Sequence, residues 1–493
     1  MKTTVPESRL RSENTAPERP QGAYVLYWMI SARRTRFNFA LERAADWARH
    51  LGLPLVVLEA LRSDYPWASD RLHRFVIDGM AAKQGRSADC NVTYYPYVEL
   101  ERGAGRGLLE ALAADAAVVV TDRYPTFFLP RMVAAAARRL PVRLESVDSN
   151  GLVPLGATGT APATAYAFRR FVQKNLTTFL EEMPLEDPLA DALPEGSPIA
   201  PTIAERWPMA SPDLLTGKPE VLAALPIDHA VATTPLRGGE NSARQALRHF
   251  VDDLMEHYSD KRNRPDEGIS SGLSPYLHFG HVSSHEVFLE VMRRERWSPE
   301  DVIPPANGRR AGWWGVTESA EAFLDQVLTW RELGFQFCHH RDDHDRWSSL
   351  PEWARRTLSV HASDPREHLY DLDDFASART HDPLWNAAQN QLVREGTIHN
   401  YLRMLWGKKI LEWTEHPKQA LEIMLELNNR FALDGRDPNS VTGICWVLGR
   451  HDRAWGPERP VFGTVRYMSS ANTARKVPVK AYLERYANPG EAS

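Results

Sequence analysis

The first 150 residues alternate short β-branched or aromatic runs with helical stretches, and this alternation restricts the possible folds. Tyr24–Ile30 and Leu55–Leu58 flank the helical stretch Asn38–Leu51. A strand–helix–strand order favours a parallel sheet with right-handed crossovers. Ala117–Thr121 is a further buried strand, whose end would lie at the carboxyl edge where open α/β folds bind ligands. We therefore predict an α/β fold with a Rossmann-like, parallel-sheet domain over residues 22–150.

Different patterns follow this first domain. Residues 151–237 are rich in proline and poor in strand patterns, and the run PEGSPIAP at 194–201 is typical of a linker. We predict a long interdomain linker there, with some helices such as one through Ala165–Leu180. Helical periodicity then continues almost to the end. We predict a mostly α-helical domain over 238–480 and a C-terminal tail over 481–493.

Length and composition narrow the class of protein. The 493 residues suggest two or three domains, and hydrophobic and charged fractions of 43% and 25% are ordinary for a globular protein. No apolar run approaches the length of a membrane span, and the polar residues 1–21 indicate a disordered tail rather than a signal peptide. Cys90, Cys338 and Cys445 cannot supply a disulfide framework or the four thiolates of an iron–sulfur cluster. A cytoplasmic location is expected.

Tryptophan is concentrated in the second half of the chain, where 12 of the 15 tryptophans follow residue 200. Trp406 and Trp413 are seven residues apart in a helical stretch, which places their backbones roughly 10 Å apart on one face. Trp385, from the preceding segment, could complete a relay between them. The spacing fits a flavoprotein that moves electrons through the protein, and it also fits a tryptophan-rich helical core.

A candidate phosphate-binding segment runs from Tyr258 to Ser284. Ser274 followed by Pro275 predicts a helix start with a serine N-cap. The serines and glycine before it would leave free backbone N–H groups for an anion, with Lys261 and Arg262 nearby in sequence. An ordinary capped helix explains the same residues.

Four sequence runs carry a family resemblance. They are GLSPYLHFG at 272–280, WRELGFQFC at 330–338, THDPLWNAAQ at 380–389 and LDGRDPN at 433–439. Together they resemble the signature runs of class II cyclobutane pyrimidine dimer (CPD) photolyases of the photolyase/cryptochrome family. The similarity extends from about Tyr24 to Met468, and the run ARRTRFNFAL at 32–41 resembles the N-terminal domain of that family more loosely.

The resemblance implies an antenna-type α/β domain and a helical domain that binds FAD and DNA. Reduced FAD, excited by light, would donate an electron to a pyrimidine dimer flipped out of UV-damaged DNA. In such an enzyme the cofactor carries out the chemistry, and the protein positions the cofactor and the substrate and tunes their electrostatic environment. Flipping a damaged site out of the duplex requires less free energy than flipping an intact one. An antenna chromophore of the 8-hydroxydeazaflavin type is suggested for the α/β domain, and a monomer is expected.

The resemblance also assigns cofactor residues position by position. Trp406, Trp385 and Trp413 match the electron-transfer triad that photoreduces the flavin from the surface inward. Arg403 and Asp434 match the pair beside the isoalloxazine ring, where a guanidinium would stabilise the anionic reduced flavin. The other matching positions are Asn428 at the flavin N5 edge, Asp437 close to the ring, and Tyr258, Ser259, Ser271, Gly272, Leu273 and Ser274 around the phosphates and ribityl chain.

For the lesion, Trp330 and Trp446 match the aromatic pair that packs against the flipped thymines, and Met404 lies on the same floor. Stacking of a base on an aromatic ring contributes roughly 1–3 kcal/mol. Core tryptophans are the alternative interpretation. The matching DNA-binding positions are Arg453 and Trp455, which would enter the space left by the extruded bases, and Arg450, Arg459 and Arg466, which would touch phosphates unless they form a merely solvated basic loop.

The chain departs from the family pattern at Gln326. The family carries a glutamate at this position, four residues before the tryptophan that matches Trp330. That glutamate would hydrogen-bond the dimer and steady its radical anion, whereas glutamine can donate a hydrogen bond but cannot deliver a proton. Asp325 would point elsewhere on a helix. We expect repair with lowered efficiency. The alternative is a cryptochrome-like blue-light receptor, against which the lesion-facing aromatic residues argue.

A metal site is conceivable at His340, Asp343 and His344, because the two histidines have helical i, i+4 spacing. A polar helix end explains these residues more simply, so no metal is predicted.

Overall fold

A computed structural model of the chain describes residues 3–88, 90–196 and 199–487. These residues form two compact units. The first comprises Met1–Ala157, Asn175–His249 and Gly272–Arg296. The second comprises Thr158–Lys174, Phe250–Ser271 and Trp297–Ser493.

The first unit is built on a six-stranded sheet in the order β1-β6-β5-β2-β3-β4, within the described residues. Strands β2 to β6 are parallel, and β1 pairs with β6 in antiparallel fashion. The combination of this sheet with many helices confirms the predicted α/β fold class. The strands are β1 Leu10–Ser12, β2 Tyr24–Met29, β3 Leu55–Leu61, β4 Val92–Val98, β5 Ala116–Asp122 and β6 Leu144–Val147.

Helices make up most of the remaining described chain. The α-helices are α1 Phe39–Leu51, α2 Asp70–Ala88, α3 Leu108–Asp115, α4 Leu129–Ala137, α5 Ala165–Glu181, α6 Pro201–Arg206, α7 Pro219–Leu222, α8 Glu240–His249, α9 Tyr258–Lys261, α10 Ser274–His278, α11 Ser284–Glu295, α12 Glu318–Leu324, α13 Glu332–His339, α14 Glu352–Val360, α15 Leu372–Ala376, α16 Pro383–Glu395, α17 Asn400–Trp413, α18 Pro417–Phe431, α19 Pro438–Val447, α20 Ser470–Lys476 and α21 Lys480–Tyr486. Two π-helical segments are Phe250–Leu254 and Asp325–Arg331, and the 3-10 turns are Glu7–Arg9, Leu214–Thr216, Met255–His257, Pro265–Glu267, Pro299–Asp301 and Trp347–Ser349.

The central strands are buried on both faces, which explains their continuous apolar sequences. All six residues of β2 and all seven of β5 are buried. Asp122 ends β5, and its carboxylate accepts hydrogen bonds from the backbone N–H groups of Ile30, Ser31 and Ala32 at 2.8, 2.7 and 3.0 Å. The Tyr27 hydroxyl donates to the same carboxylate at 2.7 Å. Asp122 therefore fixes the turn that follows β2.

The prediction of a disordered tail over residues 1–21 is wrong for residues 3–21. Leu10–Ser12 forms β1, with Leu10 opposite Val147. Arg9 is fully buried, and its guanidinium donates to the carbonyl oxygens of Gly151 and Leu152 at 2.9 and 2.8 Å. These long-range contacts order a segment whose local composition is typical of disorder.

The prediction of one linker over residues 151–237 also differs from the structure. Residues 175–249 belong to the sheet-containing unit, as do residues 272–296 from the predicted helical domain. Leu189 and Leu193 pack into one side of its core, and Ile203 and Trp207 into the other. This proline-rich stretch buries apolar side chains and is therefore not a solvated linker.

The predicted C-terminal tail is partly helical. Helix α21 packs against α16, and the Tyr482 hydroxyl donates to the side-chain oxygen of Gln391 at 2.8 Å. Asp266 accepts the backbone N–H groups of Ala481 and Tyr482 at the start of the helix. Residues 488–493 of the predicted tail lie outside the described residues. Within the described residues, none of the helices is long and apolar enough to cross a membrane.

The role of Asp122 can be tested by unfolding. Asp122→Ala leaves buried N–H groups without an acceptor, so we expect a loss of about 3 kcal/mol in the free energy of unfolding. Tyr27→Phe removes one of the hydrogen bonds to this carboxylate and should cost only about 1 kcal/mol. Urea titration followed by circular dichroism measures both values. Equal effects of the two substitutions would contradict the assignment.

Candidate functional site

A partly buried arginine of the second unit pairs with an aspartate and contacts two further helices. Arg403 on α17 donates through Nη2 to both carboxylate oxygens of Asp434, at 3.1 and 3.2 Å. Its Nη1 lies 3.4 Å from the side-chain oxygens of Asn428 on α18 and of Ser440 on α19. The Asn428 amide also donates to Ser440 at 2.9 Å. The structure therefore brings together Arg403, Asp434 and Asn428, three of the residues predicted to contact a flavin.

The loop between α18 and α19 is held by a second arginine. Arg436 has a positive φ of 67° and is 4% exposed. Its guanidinium donates to the carbonyl oxygens of Asn429, Ala432 and Leu433. Asp437 then caps α19 by accepting the N–H of Asn439 at 2.8 Å. Arg436 thus fixes the backbone that carries both predicted aspartates.

The three predicted relay tryptophans lie together. Trp385 donates through Nε1 to the carbonyl oxygen of Trp406 at 3.0 Å, and its ring centroid is 6.1 Å from that of Trp413 at 69°. The Trp406 Nε1 donates to Gln389 at 2.9 Å. The three residues are 0%, 2% and 3% exposed. Trp385 is therefore the middle member, in contact with both other tryptophans.

The outer end of this series is covered rather than exposed. The Trp413 ring meets His381 edge-on at 4.8 Å and Tyr370 at 5.8 Å, and the ammonium of Lys409 lies 5.2 Å above it. The Tyr370 hydroxyl is 2.8 Å from Nδ1 of His381. Partial desolvation by its neighbours lowers the pKa of His381, and His368 beside it adds to the effect. The solvent-facing residue in this group is the exposed His381, and not Trp413.

The structure brings together Trp330 and Trp446, the two tryptophans predicted to face the lesion. Trp330 and Trp446 stack with ring centroids 4.5 Å apart and an angle of 17°. Trp446 shares the open face of α19 with Asn439 and Gly443, and a Cβ added at Gly443 would have no neighbour within 4 Å. Room therefore exists beside the stacked pair. Met404 on α17 is half-buried, next to Arg403 in sequence.

Gln326 and Trp330 lie in the π-helical segment Asp325–Arg331, which sequence periodicity did not predict. π-Helical turns occur frequently at functional sites. Both side chains are half-buried. Asp325 is buried and pairs with Nε of Arg169 at 2.8 Å. This ion pair agrees with the expectation that Asp325 does not share the direction of Gln326.

The predicted phosphate-binding segment is divided between the two units. Tyr258 and Ser259 lie in the second unit, where the Ser259 N–H donates to the Ser319 hydroxyl at 3.1 Å. Tyr258 is buried, which raises its pKa, and the Arg262 guanidinium lies 5.5 Å over its ring. Ser271 is the last residue of this segment in the second unit.

Gly272, Leu273 and Ser274 belong to the first unit. Gly272 has a φ of +62° and open space around a Cβ position. Leu273 is buried, with 1% of the residue exposed. Leu273 is also the N-cap residue of α10, without a side-chain cap. The prediction of Ser274 as N-cap is therefore wrong, because the helix already begins at Ser274.

An exposed tryptophan with two arginines lies in the loop after α19. The guanidinium of Arg453 is 4.8 Å from the ring of Trp455, and that of Arg466 is 5.1 Å from it. Arg459 lies 5.0 Å over the ring of Tyr467. Arg453, Arg459 and Arg466 are exposed, as a DNA contact requires.

Arg450 differs from these residues. It is half-buried, donates to the carbonyl oxygen of Ser349 at 2.8 Å and lies 4.5 Å over the Phe337 ring. Burial lowers its pKa. A structural role accounts for these contacts.

No group of three potential metal ligands occurs among the residues described. The Arg341 guanidinium donates twice to Asp343, at 2.8 Å each, and lowers its pKa to about 2. His344 Nδ1 lies 2.8 Å from the Arg341 carbonyl oxygen. These contacts agree with a polar helix end.

The chain is similar over nearly its whole length to proteins named deoxyribodipyrimidine photo-lyase. That of Methanothermobacter thermautotrophicus is 35% identical over 481 residues, covering 97% of both chains. That of Oryza sativa is 34% identical over 97% of this chain and 90% of its own, and that of Potorous tridactylus is 32% identical over 98% and 84%. The chain belongs to the photolyase/cryptochrome family. The prediction of a photolyase-type enzyme is confirmed.

Solved structures of the photolyase/cryptochrome family share the fold. A class III photolyase from Agrobacterium tumefaciens aligns with a TM-score of 0.64 and 16% identity, over 94% of this chain and 86% of its own. A cryptochrome from Synechocystis aligns with a TM-score of 0.62 and 15% identity, over 94% and 88%. No family model matches the chain.

Two residues that contact or position the predicted site residues were not predicted from the sequence. Ser440 contacts both Arg403 and Asn428, and Arg436 holds the loop before α19. The run LDGRDPN gave a signal for Arg436, since the arginine lies between the two predicted aspartates. Nothing in the sequence distinguished Ser440 from other serines in helices.

Proposed function

We propose that the chain repairs cyclobutane pyrimidine dimers in DNA with light, using reduced FAD, as a class II photolyase. The observation that carries this proposal is the stacked pair Trp330–Trp446 beside open space. Ser440, which contacts Arg403, and Trp446 lie six residues apart on α19, about 9 Å along the helix axis. An aromatic platform for bases and a polar cluster for a flavin would thus share one rigid element.

The residues at the polar cluster fit a flavin. Arg403 offers cationic donors, Asp434 is a carboxylate acceptor, and Asn428 offers both a donor and an acceptor. These groups complement a ring system that carries carbonyl oxygens and ring nitrogens. FAD, the cofactor common in this family, would supply a light-driven electron to the lesion and take it back. The proposed additional FAD contacts are Tyr258, Ser259, Ser271, Gly272, Leu273, Ser274 and Asp437.

Arg403 would act by fixed charge. Its guanidinium is oriented by two oxygens of Asp434, so the positive charge needs little reorganisation when negative charge develops beside it. Asn428 would meet the flavin N5 edge with its amide. The side chains of Arg403 and Asp434 are only 19% and 12% exposed, so solvent screens the electric field of the guanidinium less than it would at the surface.

Trp330, Trp446 and Met404 would receive the flipped dimer, and the exposed Trp455 with Arg453 would enter the gap in the duplex. Arg459 and Arg466 would contact phosphates. Because Trp455 is flanked by two guanidiniums, it could stack on a base while the arginines neutralise the backbone. UV-damaged DNA is thus the proposed partner, bound by a monomer.

An antenna chromophore of the 8-hydroxydeazaflavin type is proposed for the first unit. Tyr65 and Trp67 follow β3, and Phe127 and Phe128 follow β5, so these aromatic side chains lie at the carboxyl edge of the sheet. The Trp67 and Phe127 rings stack at 6.0 Å. Open α/β folds bind ligands at this edge.

Repair can be measured on an oligonucleotide that contains one thymine dimer. We expect the photoreduced protein to restore intact thymines under blue light and to leave the dimer unchanged in the dark. Trp330→Ala should weaken binding of the dimer by roughly 1–3 kcal/mol, because one stacking surface is lost. Flavin photoreduction without any repair would refute the proposal and favour the cryptochrome-like receptor, to which Gln326 points.

The tryptophan series can be tested separately from repair. In Trp385→Phe we expect light-driven flavin reduction to be lost, because Trp385 contacts both Trp406 and Trp413. Repair by chemically reduced protein should persist. Trp207→Phe is the matched control, since Trp207 is also buried and donates through Nε1 to a carbonyl oxygen, that of Ala104, at 2.9 Å. Wild-type photoreduction in Trp385→Phe would exclude this path.

Gln326 should limit the efficiency of repair. Glutamine cannot deliver a proton to the dimer radical anion, so we expect a higher repair quantum yield in Gln326→Glu than in the wild type. The yield per absorbed photon, measured at saturating DNA, separates this effect from affinity. Gln336→Glu changes the same residue type outside the π-helix and is the control. Equal yields in the wild type and Gln326→Glu would defeat the hypothesis.

A further inference from the structure

A positively charged face lies on α5, which carries none of the predicted site residues. Tyr166, Arg170 and Lys174 are spaced by four residues and are all exposed, Tyr166 to 57%. Residues four apart lie on the same side of a helix, about 6 Å from each other along its axis. The three side chains therefore form a row about 12 Å long.

A loop adds two more arginines to this row. The Gly308 N–H donates to the side-chain oxygen of Gln173 at 2.7 Å, and the Gln173 amide donates to the carbonyl oxygen of Arg309 at 3.0 Å. A Cβ added at Gly308 would lie 3.0 Å from the ring of Tyr166 and 3.1 Å from Cβ of Arg170. The backbone of the loop thus packs on the helix, and Arg309 and Arg310 follow directly. We call Tyr166, Arg170, Lys174, Arg309 and Arg310 the basic face.

Carboxylates of the protein do not neutralise the charge of the basic face. In the part of the chain that the structure describes, Arg170, Lys174 and Arg310 form no ion pair. Two carboxylates from the same region are engaged elsewhere. Glu321 accepts the N–H groups of Trp313 and Trp314, and Asp301 accepts the N–H of Ser298. Such a local cationic surface is informative in a protein whose net charge is −5.

The basic face is fixed to the segment that presents the lesion-facing residues. Arg169, next to Arg170, pairs with Asp325 at 2.8 Å. Asp325 begins the π-helical segment that contains Gln326 and Trp330. Arg169 also donates to the carbonyl oxygen of Gly308 at 3.3 Å. One arginine therefore links α5, the loop and the π-helix.

We propose that the basic face is a second DNA contact, which binds the sugar–phosphate backbone of the duplex beside the lesion. This inference rests on the proposed repair function. Arginine, lysine and tyrosine side chains are typical backbone contacts, and they position a protein without reading sequence. An acidic protein surface is the competing occupant. The link through Arg169 to the lesion-facing segment favours DNA, because a duplex held at Trp330 extends beyond it in both directions.

The test is the salt dependence of DNA binding by the full-length protein. Each phosphate contact contributes about 0.9 to the slope of log affinity against log salt concentration. In the triple variant Arg170→Gln, Lys174→Gln, Arg310→Gln we expect the slope to fall by about 2–3. Undamaged and dimer-containing duplexes should weaken by the same factor. Repair yield at saturating DNA should not change. Arg309 is retained because it donates to the Ile303 carbonyl oxygen.

A second triple variant controls for net charge. Arg131→Gln, Arg138→Gln, Lys418→Gln removes three exposed cations, one in α4, one at its C-terminal end and one in α18. An unchanged slope in the first variant overturns the proposal and leaves an acidic protein as the occupant. Equal slope losses in both variants also overturn it, because net charge then suffices. A wild type that binds DNA without repairing it would refute the proposed function, whereas a slope lost only in the first variant would still support the contact.

Discussion

The ion pair between Arg403 and Asp434 lies where three helices of the second unit meet, at the centre of the proposed flavin site. Removing one partner of a fully buried pair costs about 3–5 kcal/mol, and the partial exposure of this pair lowers that cost. Because Arg403 also contacts Asn428 and Ser440, this charge joins α17, α18 and α19. The positions of Trp406 on α17 and Trp446 on α19 therefore depend on it. A single electrostatic contact thus organises both the proposed electron path and the proposed lesion platform.

The burial of the tryptophan series has a consequence for its electron exchange with solvent. Trp413 is covered by Tyr370 and His381, so an oxidised Trp413 could not be reduced by direct contact with a dissolved donor. Lys409 above its ring also disfavours a positive charge there. The protein environment, and not only the spacing of the indoles, would then set the lifetime of a separated charge.

The sequence predicted the elements whose patterns are local. Tyr24–Met29 forms a strand whose apolar sequence fits burial on both faces, and α17 contains the stretch that was predicted to be helical. It could not predict β1, which depends on the contacts of Arg9 with carbonyl oxygens more than 140 residues away. Trp330 and Trp446 were predicted as a pair only through the family resemblance, since no local pattern joins residues so distant in sequence, and their stacking on each other was not predicted. Ser440 was missed because a polar helix position has many possible partners.

Because Asp325–Arg331 is π-helical, the number of residues in this segment matters as much as the identity of its side chains. In a π-helix the hydrogen bonds run from i to i+5, so this segment holds one residue more than an α-helical turn would. A deletion of one residue could restore regular α-helix and leave every named side chain present. Placed at Val327, Leu328 or Thr329, it would nevertheless shorten the spacing between Gln326 and Trp330 from four residues to three. Among homologous sequences, a gap in this segment is therefore a functional difference even where all of the aligned residues agree.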